Sequence, residues 1–169
     1  MSVSYRNATA ADAPALDRIF RTTFCDTFGH LYRPEDLASF LAKFTPEAWA
    51  SELDDPSFAF RIAEADSEAV GYAKLGPLRL PVEPDGPGLE LYQLYVHKDW
   101  HGAGVAGQLM GWCLAEARSR AARQLYLTVY VDNHRARRFY ERRGFVVEGP
   151  YAFMVGEQAD EDLIMRLAL

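Results

Sequence analysis

The residues His101-Gly102-Ala103-Gly104-Val105-Ala106-Gly107 have the composition of an anion cradle. They follow an alternating apolar and aromatic run, Leu89 to His97, and lead into a helical repeat of Val105, Leu109, Trp112 and Cys113. A strand, a glycine turn and a helix start in that order bind phosphate well. The first N–H groups of a helix lack an internal partner, and the macrodipole adds positive potential there. Glycines let a pyrophosphate approach without a Cβ in the way. The spacing is neither G-x-G-x-x-G nor the GK[ST] of a nucleoside-triphosphate loop. Downstream, Asn133 opens a helix on which Ala136, Phe139 and Tyr140 share one face. A phenol, with an ordinary pKa of about 10, keeps its proton at neutral pH and can donate it. Glu90 and Tyr92 alternate onto one face of the strand before the cradle, where a carboxylate can accept a proton directly or through water.

Two blocks carry a family resemblance. Trp100-His-Gly-Ala-Gly104-Val-Ala106, after a strand ending Leu94-Tyr95-Val96, resembles the [Q/R]-x-x-G-x-[G/A] acetyl-CoA loop of the GNAT superfamily of N-acetyltransferases. Asn133-His-Arg-Ala136-Arg-Arg-Phe139-Tyr140-Glu-Arg-Arg-Gly144-Phe145 resembles that family's N-x-x-A-x-x-F-Y-x-x-x-G-F segment. The resemblance implies a single-domain α/β fold over residues 1–169, with acetyl-CoA as cosubstrate. Backbone N–H groups from His101 to Gly107 (His101, Gly102, Ala103, Gly104, Val105, Ala106, Gly107) would hold its pyrophosphate. The strand ahead of the loop is expected to splay at a bulge, so that Leu94, Tyr95 and Val96 present main-chain groups to pantetheine and acetyl, with the Val96 N–H as an oxyanion donor. Asn133 is expected at CoA as well as at the helix cap, Tyr140 as the acid for the leaving thiolate, and Glu90 as the base. The acceptor wall falls on the N-terminal helices, with Phe24, Thr27 and Phe28, and on Tyr92 of the strand.

Phe153-Met154-Val155-Gly156 and Asp162-Leu163-Ile164-Met165, together with Thr23 to Phe28, resemble the PaiA-like branch, described as spermidine/spermine N-acetyltransferases. That implies a polyamine among the candidate acceptors of a direct transfer in a ternary complex. His101 stands where Gln or Arg is common, Ala103 where a basic residue is frequent, and Gln93 where a charged one is. Amino acids and protein N-termini are alternative acceptors. A non-catalytic acetyl-CoA sensor is another reading. So is an interaction protein using strand edges and Trp49, Trp100 or Trp112, and a homodimer is compatible with each.

The whole chain sets bounds. Its 169 residues suffice for one domain with its own core. A net charge of −6 argues against general nucleic-acid binding and suits a cationic small molecule. Cys25 and Cys113 have no partner at metal-ligand or CxxC spacing. They read as reduced thiols, so a cytoplasmic protein with no metal is expected. No signal-peptide pattern and no apolar run of membrane length is visible.

The elements follow from periodicity. Val3 to Arg6 reads as a strand. Leu16, Ile19, Phe20, Thr23, Phe24 and Phe28 give a long helix, and shorter helices begin at Pro34 and Pro46. Phe58–Ala63 and Val70–Leu75 form a hairpin around a polar turn, followed by a loop with Pro77, Pro81, Pro84 and Pro87. Leu125 to Val131 alternates strictly. Phe145–Val147, a turn at Glu148-Gly149-Pro150, Tyr151–Val155 and Asp162–Leu167 close the sheet. The expectation is a mixed, mostly antiparallel sheet of six to seven strands with helices on both faces.

Overall fold

Alternation decides which side of each strand is buried, and here both sides are covered. The computed structural model describes residues 2–169. In chain order these are β1 (Ser4–Asn7), α1 (Ala13–Phe28), α2 (Pro34–Leu41), α3 (Pro46–Asp54), β2 (Ala59–Ala65), β3 (Glu68–Pro77), β4 (Gly88–Val96), α4 (Val105–Ser119), β5 (Gln124–Tyr130), α5 (His134–Glu141), β6 (Val146–Val155) and β7 (Gln158–Ala168). The strands form one sheet of order β1-β2-β3-β4-β5-β7-β6. The β4–β5 pair is parallel and the other neighbours are antiparallel. The parallel pair requires a crossover, which α4 supplies.

One face carries α4 and α5. Leu109, Met110, Cys113 and Ala117 of α4 pack with Ala73, Leu91, Leu125, Leu127 and Met165, all nearly inaccessible to solvent. The opposite face carries α1, α2 and α3 over an aromatic cluster. Phe20 sits at 4.2 Å from Phe44, 5.7 Å from Tyr95 and 6.1 Å from Trp49, between ring centroids. Such pairs add about 0.5–1.5 kcal/mol each beyond area burial. Thr23, interior to α1, returns its hydroxyl to the Ile19 carbonyl at 2.6 Å, which is how a polar side chain joins this face.

The expected elements are present, with one difference at the far edge. Residues 146–155 form one strand, without a turn at Glu148-Gly149-Pro150. The register steps from Val147↔Met165 to Gly149↔Ile164, so Glu148 is the extra residue of a bulge, and it pairs with Arg166 at 3.1 Å. The turn-like composition reports this bulge. Pro150 fits because β6 is an edge strand, where a missing N–H breaks no ladder.

The β6–β7 turn is latched to the start of α2. The Asp36 carboxylate accepts from the Glu157 N–H at 3.0 Å and pairs with Arg33 at 2.8 Å. Gly156 has φ +59 and lies so close that a Cβ would stand 2.6 Å from Asp36 Oδ1 and 2.7 Å from its Cα. Gly156→Ala is therefore expected to destabilise the protein by about 1–3 kcal/mol in urea unfolding. Gly149→Ala, whose Cβ would meet open space, is expected to stay within about 0.5 kcal/mol of the parent. Equal stability of all three proteins would refute the latch.

Candidate active site

The parallel ladder between β4 and β5 lasts only for Gly88–Glu90 opposite Gln124–Tyr126. Beyond it the two strands diverge. The cause lies on the other side of β4. Its register against β3 steps from Leu75↔Leu91 to Lys74↔Gln93, which makes Tyr92 the extra residue of a bulge. A bulge bends its strand and sharpens the twist. It also sends neighbouring side chains to one face. The Tyr92 hydroxyl donates to the Pro77 carbonyl, and the Gln93 amide oxygen accepts from the Tyr72 hydroxyl at 2.8 Å. Both lie on the α1–α3 side.

Main-chain direction past the bulge follows from one bond. The His97 N–H donates to the Val70 carbonyl of β3 at 2.8 Å. Groups alternate along a strand, so Tyr95 also turns its main chain to β3, while Leu94 and Val96 turn theirs to the gap. The expectation that Tyr95 offers main-chain groups is corrected on this point: only its side chain is available.

The loop after β4 holds its shape by short turns. The His101 N–H bonds to the Lys98 carbonyl at 3.1 Å and the Ala103 N–H to the Trp100 carbonyl at 3.3 Å. Those two N–H groups of the expected cradle are thus spent within the loop. Gly102 and Gly104 have φ +80 and +83, and a Cβ on either would meet nothing within 4 Å. The N–H groups of Gly102, Gly104, Val105, Ala106 and Gly107 have no main-chain acceptor among the described residues. They form a concave set of donors at the N-terminus of α4, as anion binding needs. His101 fastens this loop. Its Nε2 lies 2.9 Å from the Val96 carbonyl, and its Nδ1 meets Arg135 of α5. Burial first, then Arg135 and His97, push its pKa down, although the Val96 bond opposes them. A neutral imidazole donates Nε2–H to the carbonyl and accepts from Arg135 at Nδ1. No local pattern in the sequence marks Arg135 as a neighbour of the cradle.

From the α5 side, Asn133 caps the helix, its side chain accepting the Ala136 N–H at 3.3 Å. Ala136, Phe139 and Tyr140 pack on the sheet as the shared face requires. The Tyr140 ring meets Phe139 and Phe145 edge-on at 5.4 and 5.6 Å. Its hydroxyl makes no hydrogen bond to protein among the described residues. Burial, with a smaller contribution from Cys113, holds its pKa above the usual phenol value. The Cys113 thiol is itself pushed up to about 12 by burial.

From the opposite face, Phe24 stacks on Tyr32 at 5.9 Å and Phe28 meets Tyr130 edge-on at 6.2 Å. Thr27, expected beside them, is exposed. Two carboxylates of β7 lie here, Asp160 at 9 % and Asp162 at 7 % exposure. The Tyr32 hydroxyl donates to Asp160. Burial first, then Asp160, push Asp162 up to about 7, with Thr128 opposing. Tyr95 packs on the α1–α3 side against Phe20 and Tyr72, and burial, then Tyr140, then Asp162 raise its pKa.

The structure separates Glu90 and Tyr92 from this group. The Glu90 carboxylate accepts the Arg79 N–H at 3.0 Å. Lys74, paired to Glu52 at 2.8 Å, lies 5.0 Å from the centre of the Tyr92 ring. Glu90 is about 13 Å along β4 from Leu94, at roughly 3.3 Å per residue. Burial raises its pKa, against the opposing effect of the Arg79 and Leu80 N–H groups. Among the described residues no three His, Cys, Asp or Glu side chains converge to hold a metal ion. No helix is long and apolar enough to cross a membrane.

Comparisons with known proteins agree with this geometry. Residues 17–145 match the model of the acetyltransferase (GNAT) family. The chain is 32 % identical over 160 residues to an uncharacterized N-acetyltransferase in the pepI 3′ region of Lactobacillus delbrueckii subsp. lactis, covering 94 % of this chain and 92 % of the relative. It is 34 % identical over 155 residues to an uncharacterized N-acetyltransferase of Mycobacterium tuberculosis, covering 91 % and 96 %. The crystal structure of PaiA N-acetyltransferase from Thermoplasma acidophilum in complex with coenzyme A superposes with a TM-score of 0.81, at 21 % identity and over 100 % of both chains.

The buried Asp162 leads to a stability prediction. Its pKa is about 7 when folded, while the unfolded side chain titrates near 3.9. Between those values the folded chain binds more protons, so stability falls as pH rises through the window and stays lowered above it. Asp160, Tyr32, Thr128, Tyr130 and Tyr151 face this carboxylate. Each tenfold difference in proton affinity between the two states corresponds to about 1.4 kcal/mol. At pH 8, Asp162→Asn is therefore expected to gain at least about 1 kcal/mol in urea unfolding. The difference from the parent should shrink by pH 5. A variant no more stable than the parent at pH 8 would refute this.

Proposed function

The chain belongs to the GNAT acetyltransferase family, and on that premise we propose that it moves the acetyl group of acetyl-CoA to a primary amine by direct attack in a ternary complex. The observation that carries this reading is the gap between β4 and β5. Free N–H groups stand at its mouth, the main chains of Leu94 and Val96 line one wall, and Tyr140 of α5 packs on the same sheet. The open space over Gly102 and Gly104 fits a pyrophosphate at the cradle. Bound acetyl-CoA supplies the thioester carbonyl that an amine attacks. The N–H groups of Gly102 and Gly104 to Gly107 hold the phosphates, and Arg135 lies close enough to add charge. The Leu94 main chain and the Val96 N–H pair with the pantetheine and acetyl end, in the manner of a strand addition. The Val96 N–H serves as the donor for developing oxyanion charge.

Tyr140 is the acid of this reading. A raised pKa keeps the phenol protonated, so it can give its proton to the departing sulfur. Asn133 orders the start of α5 and so the approach of Tyr140, with a CoA contact besides. The amine must lose a proton to a carboxylate. Glu90 can take it through water, and Asp162 is the other buried candidate. Phe24, Phe28 and Tyr95 form the acceptor wall, with Thr27 and Tyr92 at its margins. A polyamine leads the candidate acceptors, supported by the branch-like segments and the net charge of −6. The buried Cys113 and the free Cys25 suit a cytoplasmic setting.

Amine-dependent thiol release from acetyl-CoA tests the reading, with spermidine and a panel of other primary amines as acceptors. Tyr140→Phe is expected to lower kcat by about 10²–10⁴-fold with little change in CoA affinity. Tight CoA binding without release for any amine would leave a sensor, and no CoA binding would refute the assignment of the loop.

A further inference from the structure

We propose that Asp162, backed by Asp160, seats the reacting ammonium of the acceptor at the α1–α2 side of the gap and takes its proton there. The proposal rests on the acetyl-transfer reading for its chemistry, and on the placement of β7 for its location. Asp162 lies opposite Tyr130 on β5 and Tyr151 on β6, and Asp160 lies opposite Phe153. Cross-strand partners share a face, so both carboxylates point to the side covered by α1 and α2. There Phe28 meets Tyr130, and Phe24 stacks on the Tyr32 that donates to Asp160.

The two acids differ in how they are held. Asp160 has the Tyr32 hydroxyl. Asp162 is 7 % exposed, and among the described residues no Lys, Arg or His forms an ion pair with it; its hydrogen-bonding partner is the Thr128 hydroxyl. A carboxylate so buried is costly without a cation, and a bound ammonium would lower that cost. Aromatic faces around it suit an ammonium as well. The site is joined to the chemistry through Tyr95, which stands within electrostatic reach of both Asp162 and Tyr140. Titration of Asp162 near neutrality matches the requirement for a base that must be ionised on binding and accept a proton afterwards.

The step balances. The Asp162 carboxylate takes one proton from the ammonium, and the freed lone pair forms the N–C bond to the thioester carbonyl. The C–S bond breaks, and Tyr140 gives its proton to sulfur. The nitrogen's second proton refills Tyr140, and the proton on Asp162 leaves to solvent. Products are the amide, the thiol and one proton.

The seat is tested by calorimetric titration of the protein–CoA complex with 1,4-diaminobutane, spermidine and alanine amide, beside turnover with the same amines. For whichever of these the parent binds, Asp162→Asn is expected to weaken binding by at least about tenfold. It should lower kcat/KM by about 100-fold and remove the inflection near neutrality from the pH profile of kcat/KM. CoA affinity should be unchanged, and circular dichroism should report an intact fold. Asp162→Glu is expected to restore part of the amine affinity. Asp162-dependent amine binding without turnover in the parent would uphold the seat while sinking the acetyl-transfer reading. The seat is overturned if the parent binds none of the three amines, if Asp162→Asn binds them within about threefold of the parent, or if Glu90→Gln rather than Asp162→Asn removes the inflection.

Discussion

A strand that leaves its neighbour inside a sheet strands its own hydrogen-bonding groups, and the rest of this structure is arranged around that fact. β4 keeps β5 for three residue pairs and then parts from it. Each buried main-chain group left without a partner costs about 1–3 kcal/mol. The protein satisfies some of them itself: His101 takes the Val96 carbonyl. The remaining groups of Leu94 and Val96 face the gap, where an extended ligand can pair with them as a strand would. The bulge at Tyr92 bends β4 away. The short turns from Lys98 to Ala103 then aim the free N–H groups at the start of α4 toward the same opening.

The opening has two sides of different character because the two helical layers differ. The α4 and α5 side is mostly aliphatic, with Phe139, Tyr140, Phe145 and Trp112 among its few aromatics, and its Tyr140 and Cys113 are held neutral by burial. The α1–α3 side is aromatic and carries the acids Asp160 and Asp162. An anionic ligand end is thereby received at the cradle, and a cationic one across the sheet from it. The tyrosines Tyr95 and Tyr140 mark where the two approaches meet.

Much of this is legible in sequence because the signals are local. Alternation locates the strands, and helical spacing locates the five helices. The cap at Asn133 and the glycine turn before Val105 follow from residue type alone. What cannot be read depends on register between distant strands. Alternation places Glu90 and Tyr92 together and says nothing of the extra residue that puts Gln93 on their side as well. The composition at Glu148-Gly149-Pro150 is that of a turn, and only pairing with β7 makes it a bulge. The family resemblance gives Tyr95 a main-chain role that the β3 ladder takes from it. In sequence Asp162 reads as the first residue of a strand, and nothing in the neighbours of Asp160 and Asp162 along the chain foretells their burial. Tyr32, 128 residues away in sequence, supplies the contact that reveals Asp160.

Burial of Asp162 also explains why the surrounding layer is so heavily built. An ionised carboxylate in that position opposes folding at neutral pH, and Lys74, with its half-buried partner Glu52, and Glu90 bring further charge to the same face. Those three are compensated by one another or by main-chain N–H groups, whereas Asp162 has only a hydroxyl. The aromatic cluster of Phe20, Phe24, Phe40, Phe44 and Trp49 packs beneath α1–α3 and offsets the cost with dispersion and buried area. The latch of Asp36 on the β6–β7 turn keeps that layer against the strand bearing the two acids. A carboxylate that a fold tolerates only by such support, on a face beside an opening, is placed where stability and ligand binding are set against each other.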